Sequence, residues 1–518
     1  MKINIKESST VVAAQDTPKQ SLWASNIDLL MFRAHTPRLF FYKPTTSSIN
    51  GNLLKEALSK ALVLFYPLAG RLGYDENGRI EIQCNGKGVL FVEAHTDSSF
   101  HHLNDFTPTS HFSQLLPKPD YSAHISSYPL LLVQVTYFKC GGIVLGVGLH
   151  HILADGASTF NFINTWASIT RGITPSITPF HDRTLLRARV PPRPTFHHIE
   201  YDPSPSMNNN NINTGQPVSV AILKITLEHL KTLKTKSRTT CYTTYEVLAA
   251  HIWRCTCKAR GLANNQETKL YIPVDGRSRL NPQLRPGYFG NVIFSATSIA
   301  LSGDLQSETL MDTVERVHKA VQRMDDDYLR SAIDYIEMHP DKSSLTRGGH
   351  TFKSPNLNIN NWSRFPIQDA DFGCGPPNFM GGACGFPEEG AFFFQEGDNW
   401  MISHVSTFSW IDPSYSLLDN VALLTLEELD DGKVLLRLAH LYEIGKVIKM
   451  SLSANQQRTK KKKRLVWKVE GISSKEESKL VRGGLVDPTK LIVELAPMEI
   501  YTFVIDFHHE SRRRVFIA

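Results

Sequence analysis

The chain is short of cysteine, has no strong charge of either sign and contains no long apolar run, and each shortage removes a class of protein. Its 7 cysteines are scattered and odd in number. That argues for reduced thiols in the cytosol rather than a disulfide framework. Cys255 and Cys257 lie one residue apart on an expected helix, where small buried apolar residues are a simpler reading than a metal pair. No metal is expected. Lys plus Arg number 56 against 50 acidic residues, a formal charge of +6. Over this length that does not indicate a nucleic-acid partner, and a local basic site for a phosphorylated ligand fits equally well. No stretch approaches the roughly 18 apolar residues of a membrane span. Residues 1–15 have neither an apolar core nor a small-residue cleavage pattern, so no signal peptide is visible and a cytoplasmic location is expected. There is no internal repeat.

What is present is an ordinary globular composition, 41% hydrophobic and 20% charged over 518 residues, too long for one core. Leu54, Ala57, Leu58, Ala61 and Phe65 fall at helical spacing, with Tyr66-Pro67 ending the run. Ile80, Ile82 and Cys84 alternate as in a half-buried strand. Leu130–Phe138 and Ile143–Leu149 are apolar β-type runs about the turn-like Lys139-Cys140-Gly141-Gly142, which predicts a hairpin in a buried sheet. Ile163, Trp166, Ala167 and Thr170 share one helix face. Prolines at 191, 192, 194, 203 and 205 lead into an asparagine run at 208–211, read as a linker near residues 196–215. A second lobe then opens with a strand at Val218–Ile225, a helix from Glu228, a helix at Tyr245–Ala259, strands at Leu270–Val274 and Asn291–Thr297, and helix over Met311–Met338, in one piece or two. From about residue 397 the texture turns to β-type runs at Val421–Leu429, Lys433–Tyr442, Leu465–Val469, Leu491–Leu495 and Ile500–Phe507. A basic tail follows at 508–518.

The sharpest feature is Gly148-Leu149-His150-His151-Ile152-Leu153-Ala154-Asp155-Gly156. A buried strand ends, a histidine follows, and an Asp-Gly turn precedes a helix. A strand end holds an imidazole rigidly, and histidine titrates where it can take a proton from an alcohol attacking a carbonyl. Alone, H-x-x-x-D is loose, and its plainer reading is two satisfied polar residues at a strand-to-loop junction.

Its context is more specific. His151-x-x-x-Asp155-Gly156 resembles the signature of the CoA-dependent acyltransferase superfamily, and Asp371-Phe372-Gly373-Cys374-Gly375 resembles the D-F-G-W-G motif of the plant BAHD acyltransferases. The resemblance spans residues 1 to about 396 and is strongest to hydroxycinnamoyl-CoA shikimate/quinate hydroxycinnamoyltransferases. It is carried also by His35-Thr36-Pro37, Phe65-Tyr66-Pro67-Leu68-Ala69-Gly70-Arg71-Leu72, Asp275-Gly276-Arg277 and Gly287-Tyr288-Phe289-Gly290-Asn291. It implies an α/β fold of two chloramphenicol-acetyltransferase-like lobes (1–195 and 216–396) with mixed sheets and a channel between them. It further implies His151 as general base, Asp155 turned away to pair with Arg277, and Asp371, Gly373 and Gly375 as structural. Thr243 and Thr244 match a hydroxyl pair lying along CoA. Lys234, Lys236 and Arg238 are candidates for the CoA phosphates, with a solvated helix face as the equal alternative. Acyl-CoA is then a co-substrate and no cofactor is needed; the partners are small molecules and the chain is expected to be a monomer.

The sequence departs from that family at several places. Cys374 stands where the motif has tryptophan. Pro376 replaces the arginine that grips an acceptor carboxylate, while Arg38 and Phe40 replace smaller and hydroxylated residues. Thr36, Arg38, Phe40 and Pro376 are read as the acceptor side, with Arg38 a substitute positive charge. From Trp400 on, segments such as Ile411-Asp412-Pro413-Ser414-Tyr415-Ser416 and Val493-Glu494-Leu495-Ala496-Pro497-Met498-Glu499 resemble the C-terminal β region of plant lysosomal-type α-mannosidases. That predicts an all-β module over 397–507 without a catalytic domain. It also predicts that strand 391–396 has lost its closing neighbour and exposes an edge. The competing readings are N-acylation of an amine such as a polyamine, an inactive fusion protein, and a carbohydrate-related module resting on the tail alone.

Overall fold

The computed structural model describes residues 1–44, 50–103, 106, 110–205, 219–236, 242–346, 349–382, 390–396, 399–406, 421–428, 434–440 and 500–505. The chain divides into two compact units, Met1–Trp410 and Ile411–Ala518. The first unit is built on two six-stranded mixed sheets, one per lobe.

In the first lobe the strands run in the order Asn4–Val11, Val89–Thr96, Leu131–Phe138, Ile143–His150, His35–Tyr42 and Phe379–Gly382. The hairpin expected about Lys139–Gly142 is present, pairing Leu131–Phe138 with Ile143–His150 antiparallel. All eight residues of Ile143–His150 are buried, because the sheet is covered on both faces. Helices Gly51–Leu64 and Gly156–Thr170 cover one face. A smaller cluster with Leu39, Phe41, Phe112, Leu115 and Val144 covers the other. His35–Tyr42 shows the two-residue period directly, with Phe40 and Tyr42 in the larger core and Leu39 and Phe41 in the smaller one.

The second lobe orders its strands Ile293–Leu301, Glu267–Asp275, Leu357–Asn361, Gly390–Glu396, Asn399–Ser406 and Ser219–Ile225. Helices Thr244–Ala259, Leu310–Gln322 and Asp326–Met338 supply its core through Trp253, Val314, Val317, Leu329 and Ile333. The stretch read as helix over 311–338 is two helices, because Asp325 caps a new one by accepting the Tyr328 N–H. The proline-bearing crossover reaches the second lobe earlier than the expected boundary at 195. Asp334 accepts from the backbone N–H of Arg189 and Arg193 and pairs with the Arg189 side chain at 2.6 Å. Lys269 Nζ donates to the carbonyls of Ile199, Asp202 and Pro203.

Two expectations about the end of this unit are corrected. Strand Gly390–Glu396 is not an edge. It pairs parallel with Leu357–Asn361 and antiparallel with Asn399–Ser406, which in turn pairs antiparallel with Ser219–Ile225. Residues assigned by their texture to a separate module therefore close the second lobe's sheet, and the first unit ends at Trp410 rather than 396. The reason is generic: backbone N–H and C=O groups on a sheet edge accept any adjacent β-prone segment, and only two residues separate these strands in sequence.

In the second unit, Val421–Glu428, Val434–His440 and Ile500–Ile505 form an antiparallel three-stranded sheet. The runs at Leu465–Val469 and Leu491–Leu495 and the basic tail at 508–518 lie outside the described residues. Among the described residues no helix is long and apolar enough to cross a membrane.

A chain ending after Glu396 should lose the antiparallel neighbour of Gly390–Glu396, melt earlier and self-associate through the bared edge. A chain ending after Trp410 should keep the first unit's melting transition. Melting curves and size-exclusion chromatography distinguish the two, and identical behaviour of both truncations would contradict the pairing.

Candidate active site

His151 leaves the end of strand Ile143–His150, with its backbone N–H donating to Ala34 O at 3.0 Å. Its ring meets Phe32 edge-on, centroids 4.8 Å apart. Nδ1 is buried and lacks a hydrogen-bond partner, whereas Nε2 is not among the buried unpartnered atoms. Nε2 is therefore the nitrogen open to a substrate. Burial lowers the pKa of His151, its own carbonyl opposes that, Arg38 lowers it further, and Asp155 and Asn291 raise it. The imidazole is thus kept neutral, the state a base needs.

Asp155 does not face His151. It caps helix Gly156–Thr170 by accepting the Ser158 N–H at 3.0 Å. It also takes a two-pronged contact from Arg277, Nη1 to Oδ2 at 2.8 Å and Nη2 to Oδ1 at 3.0 Å, and accepts the Val292 N–H at 3.0 Å. Burial raises the Asp155 pKa, but the Arg277 charge and these hydrogen bonds outweigh it and hold the carboxyl low. Arg277 completes its fork on Ser158 Oγ, Gly290 O and Asp275 Oδ1. Asp155 lies in the first lobe and Arg277 in the second, so the pair ties the lobes together. A cavity of about 500 Å³ opens beside it, lined among others by Ser158, Arg171, Arg277, Tyr288 and Asp371. His151 is not part of that lining.

Asp371, Gly373 and Gly375 form a tight loop. Asp371 Oδ1 accepts the N–H of Gly373 at 2.8 Å and of Gly375 at 2.9 Å, and Oδ2 lies 3.6 Å from Arg171 Nη1. Gly373 and Gly375 have φ of 99° and 91°, a region where a Cβ is strained. This loop anchors second-lobe chain in the first lobe. Tyr42 Oη donates to Ala370 O at 2.7 Å, Phe372 packs edge-on against Trp166, and Phe379–Gly382 then joins the first sheet beside His35–Tyr42. Cys374 is half-buried against the same core, and burial pushes its thiol up to about 11.

The residues read as the acceptor side separate. Thr36 and Arg38 lie on one face of His35–Tyr42. Thr36 Oγ1 donates to Leu149 O at 3.0 Å and accepts from Arg38 Nη1 at 2.8 Å. Arg38 is buried, its guanidinium 5.7 Å from the Trp362 ring, and no ion pair joins it to a carboxylate among the described residues. Burial lowers its pKa to about 10, so it stays charged near neutrality. Phe40, farther along the same face, is core, edge-on to Phe160, and Pro376 is exposed in the turn before Phe379–Gly382. On the CoA side, Thr243 is the N-cap of helix Thr244–Ala259, its hydroxyl engaged in a capping box with Glu246. Lys234 is exposed on helix Leu227–Lys236, which also contains Lys236, while Arg238 lies outside the described residues.

Three site residues were missed in the sequence: Asp28, Arg183 and Asn291. Asn291 lies in the Gly287–Asn291 segment already singled out. Asp28 ends a Ser25-x-x-Asp28 capping box, a pattern visible in sequence although its reach to the site is not.

With that geometry in view, the relatives are informative. The Transferase family matches residues 1–395. A shikimate O-hydroxycinnamoyltransferase of Nicotiana tabacum is 56% identical over 392 residues, covering 74% of this chain and 90% of that protein. A hydroxycinnamoyltransferase of Narcissus pseudonarcissus is 50% identical, covering 77% and 94%. The crystal structure of vinorine synthase aligns with a TM-score of 0.61 at 22% identity, over 78% of this chain and 95% of that one, a likeness of fold. The chain belongs to the Transferase family and is an acyltransferase.

Asp155→Ala should strip the half-buried Arg277 of its buried partner and cost about 3–5 kcal/mol of stability. It should appear as a lowered melting temperature with loss of activity through misassembly. Wild-type melting with selective loss of rate would show that Asp155 acts chemically instead.

Proposed function

We propose that this chain transfers a hydroxycinnamoyl group from CoA to a hydroxyl of a shikimate- or quinate-like acceptor, with His151 as the general base. The observation that carries this reading is the open Nε2 of a neutral imidazole at a rigid strand end, beside an aspartate wholly engaged elsewhere. The acceptor O–H gives its proton to Nε2 as its oxygen attacks the thioester carbonyl. The tetrahedral oxyanion then collapses, the C–S bond breaks, and the imidazolium returns the proton to the departing CoA sulfur. No covalent enzyme intermediate is required. Acyl-CoA would enter from one face and the acceptor from the other, with the chain acting as a monomer. The tail beyond Trp410 is assigned no part in the transfer, and its α-mannosidase-like segments imply no glycosidase activity.

Arg38 is assigned to the acceptor carboxylate. Asp155 acts on Arg38 only at a distance, and a buried cation with no carboxylate in direct contact among the described residues favours the arrival of a substrate anion. This takes over the role first considered for position 376, where Pro376 is exposed.

His151→Ala should fold, still be stabilised thermally by p-coumaroyl-CoA, and turn over about 10²–10⁴ times more slowly. In the wild type, kcat/KM should decline only below about pH 6.5, because the folded-state pKa is lowered, and that limb should vanish in the variant. Unchanged turnover would sink the assignment. Arg38→Ala should raise KM for a carboxylate acceptor roughly 10- to 100-fold, the worth of a charge-assisted contact, with little effect on an uncharged alcohol. Assays against a panel of acid, neutral and amine acceptors test both points. Preference for an amine would redirect the reading to N-acylation.

A further inference from the structure

We infer that Asn291 is a positioning residue for His151, held in place by a buried Arg183–Asp28 pair. The inference rests on the reading of His151 as the base. The turn after the catalytic strand has three consecutive carbonyls, at His151, Ile152 and Leu153, and all three are gripped by this network. Asn291 Nδ2 donates to His151 O at 2.9 Å and Ile152 O at 3.0 Å. Arg183 Nη2 donates to Leu153 O at 2.7 Å. Both gripping side chains converge on Asp28. Its Oδ1 accepts from Asn291 Nδ2 at 2.8 Å and from the Asn291 N–H at 3.0 Å, and its Oδ2 lies 2.7 Å from Arg183 Nη1.

The burial makes this arrangement stiff. Asp28 and Asn291 are 0% exposed and Arg183 is 2% exposed. In such surroundings an unmade hydrogen bond is costly, so each group holds its partner closely. Asp28 is itself fixed by the Ser25 N–H and hydroxyl, each at 2.8 Å. With three peptide planes in the turn pinned, the Cα–Cβ direction of His151 is set, and so is the aim of Nε2. His151 Nδ1 and Asn291 Oδ1 are both buried atoms without a hydrogen-bond partner among the described residues. The Asn291 side chain and the carbonyl of His151 itself both raise the ring's pKa, so the amide that grips the turn also acts on the imidazole. The turn belongs to the first lobe, while Asn291 precedes strand Ile293–Leu301 of the second, and Asp28 sits on helix Asn26–Leu29, whose Ile27 and Leu30 pack in the second core. The base is consequently aimed only when the lobes are docked.

The test is a double-mutant cycle on the full chain, using p-coumaroyl-CoA and shikimate. Asn291→Ala should lower kcat about 10- to 100-fold, the scale on which small misplacement of a reacting group acts, with KM for the acyl-CoA changed less than about threefold. Asn291→Ser, which retains one donor, should recover part of that rate. In a His151→Ala background, Asn291→Ala should cause no further loss, because the residue it positions is gone. Losses that multiply in the double variant, or a raised KM at unchanged kcat, would overturn the inference. So would failure of both Asn291 variants to fold even with saturating acyl-CoA, which would make the network purely structural. A His151→Ala variant as fast as wild type would instead remove the base assignment itself, a distinguishable outcome.

Discussion

A buried carboxylate in an apolar protein interior is tolerated only when charge and hydrogen bonds surround it, and Asp155 imposes that demand at the junction of the two lobes. Its two oxygens take both prongs of Arg277 and the N–H groups of Ser158 and Val292. The partners come from the start of its own helix and from the opposite lobe. Separating the lobes would leave both ions without their strongest contacts. Much of the rest is arranged around this constraint: the helix start, the turn before it, and the approach of residues 290–292 to the end of the catalytic strand.

One chemical consequence is that the aspartate of the motif is unavailable to the histidine. Among the described residues no carboxylate hydrogen-bonds the second nitrogen of His151, and its basicity is governed by burial, by its own carbonyl, by the opposing charges of Arg38 and Asp155 and by Asn291. A neutral imidazole with Nδ1 enclosed and Nε2 open suits proton abstraction from a weakly acidic alcohol. Orientation must then come from the backbone, and the carbonyls of the following turn are where the surrounding polar groups converge.

A second seam crosses between lobes through the Asp371–Gly375 loop. Its carboxylate closes a tight turn on two glycine N–H groups, and the chain on either side plugs Ala370 and Phe372 into the first core before adding Phe379–Gly382 to the first sheet. Cys374 contributes less bulk there than an aromatic ring would. The seam nevertheless retains Tyr42, Trp166 and Phe372 in contact. The second sheet is completed by Asn399–Ser406, which lies between Gly390–Glu396 and the edge strand Ser219–Ile225.

The division between what was legible in sequence and what was not follows the range of the forces involved. Helices Gly51–Leu64 and Gly156–Thr170, the hairpin about Lys139–Gly142, the paired helices over 310–338 and the location of His151 were readable, because each depends on local period, caps and turn residues. The pairing of Asp155 with Arg277, 122 residues apart, was readable only through family resemblance. The strand partner of Gly390–Glu396 was misjudged, because composition after residue 397 changes while the unsatisfied sheet edge does not. Phe40, Pro376, Asp28, Arg183 and Asn291 were beyond sequence reasoning for one reason. Whether a side chain fills a core, faces solvent or grips a distant carbonyl is decided by which elements pack against it. Local patterning along the chain thus determined the elements and the place of His151 at a strand end, whereas only long-range packing decided which buried charges are paired and which groups surround that imidazole.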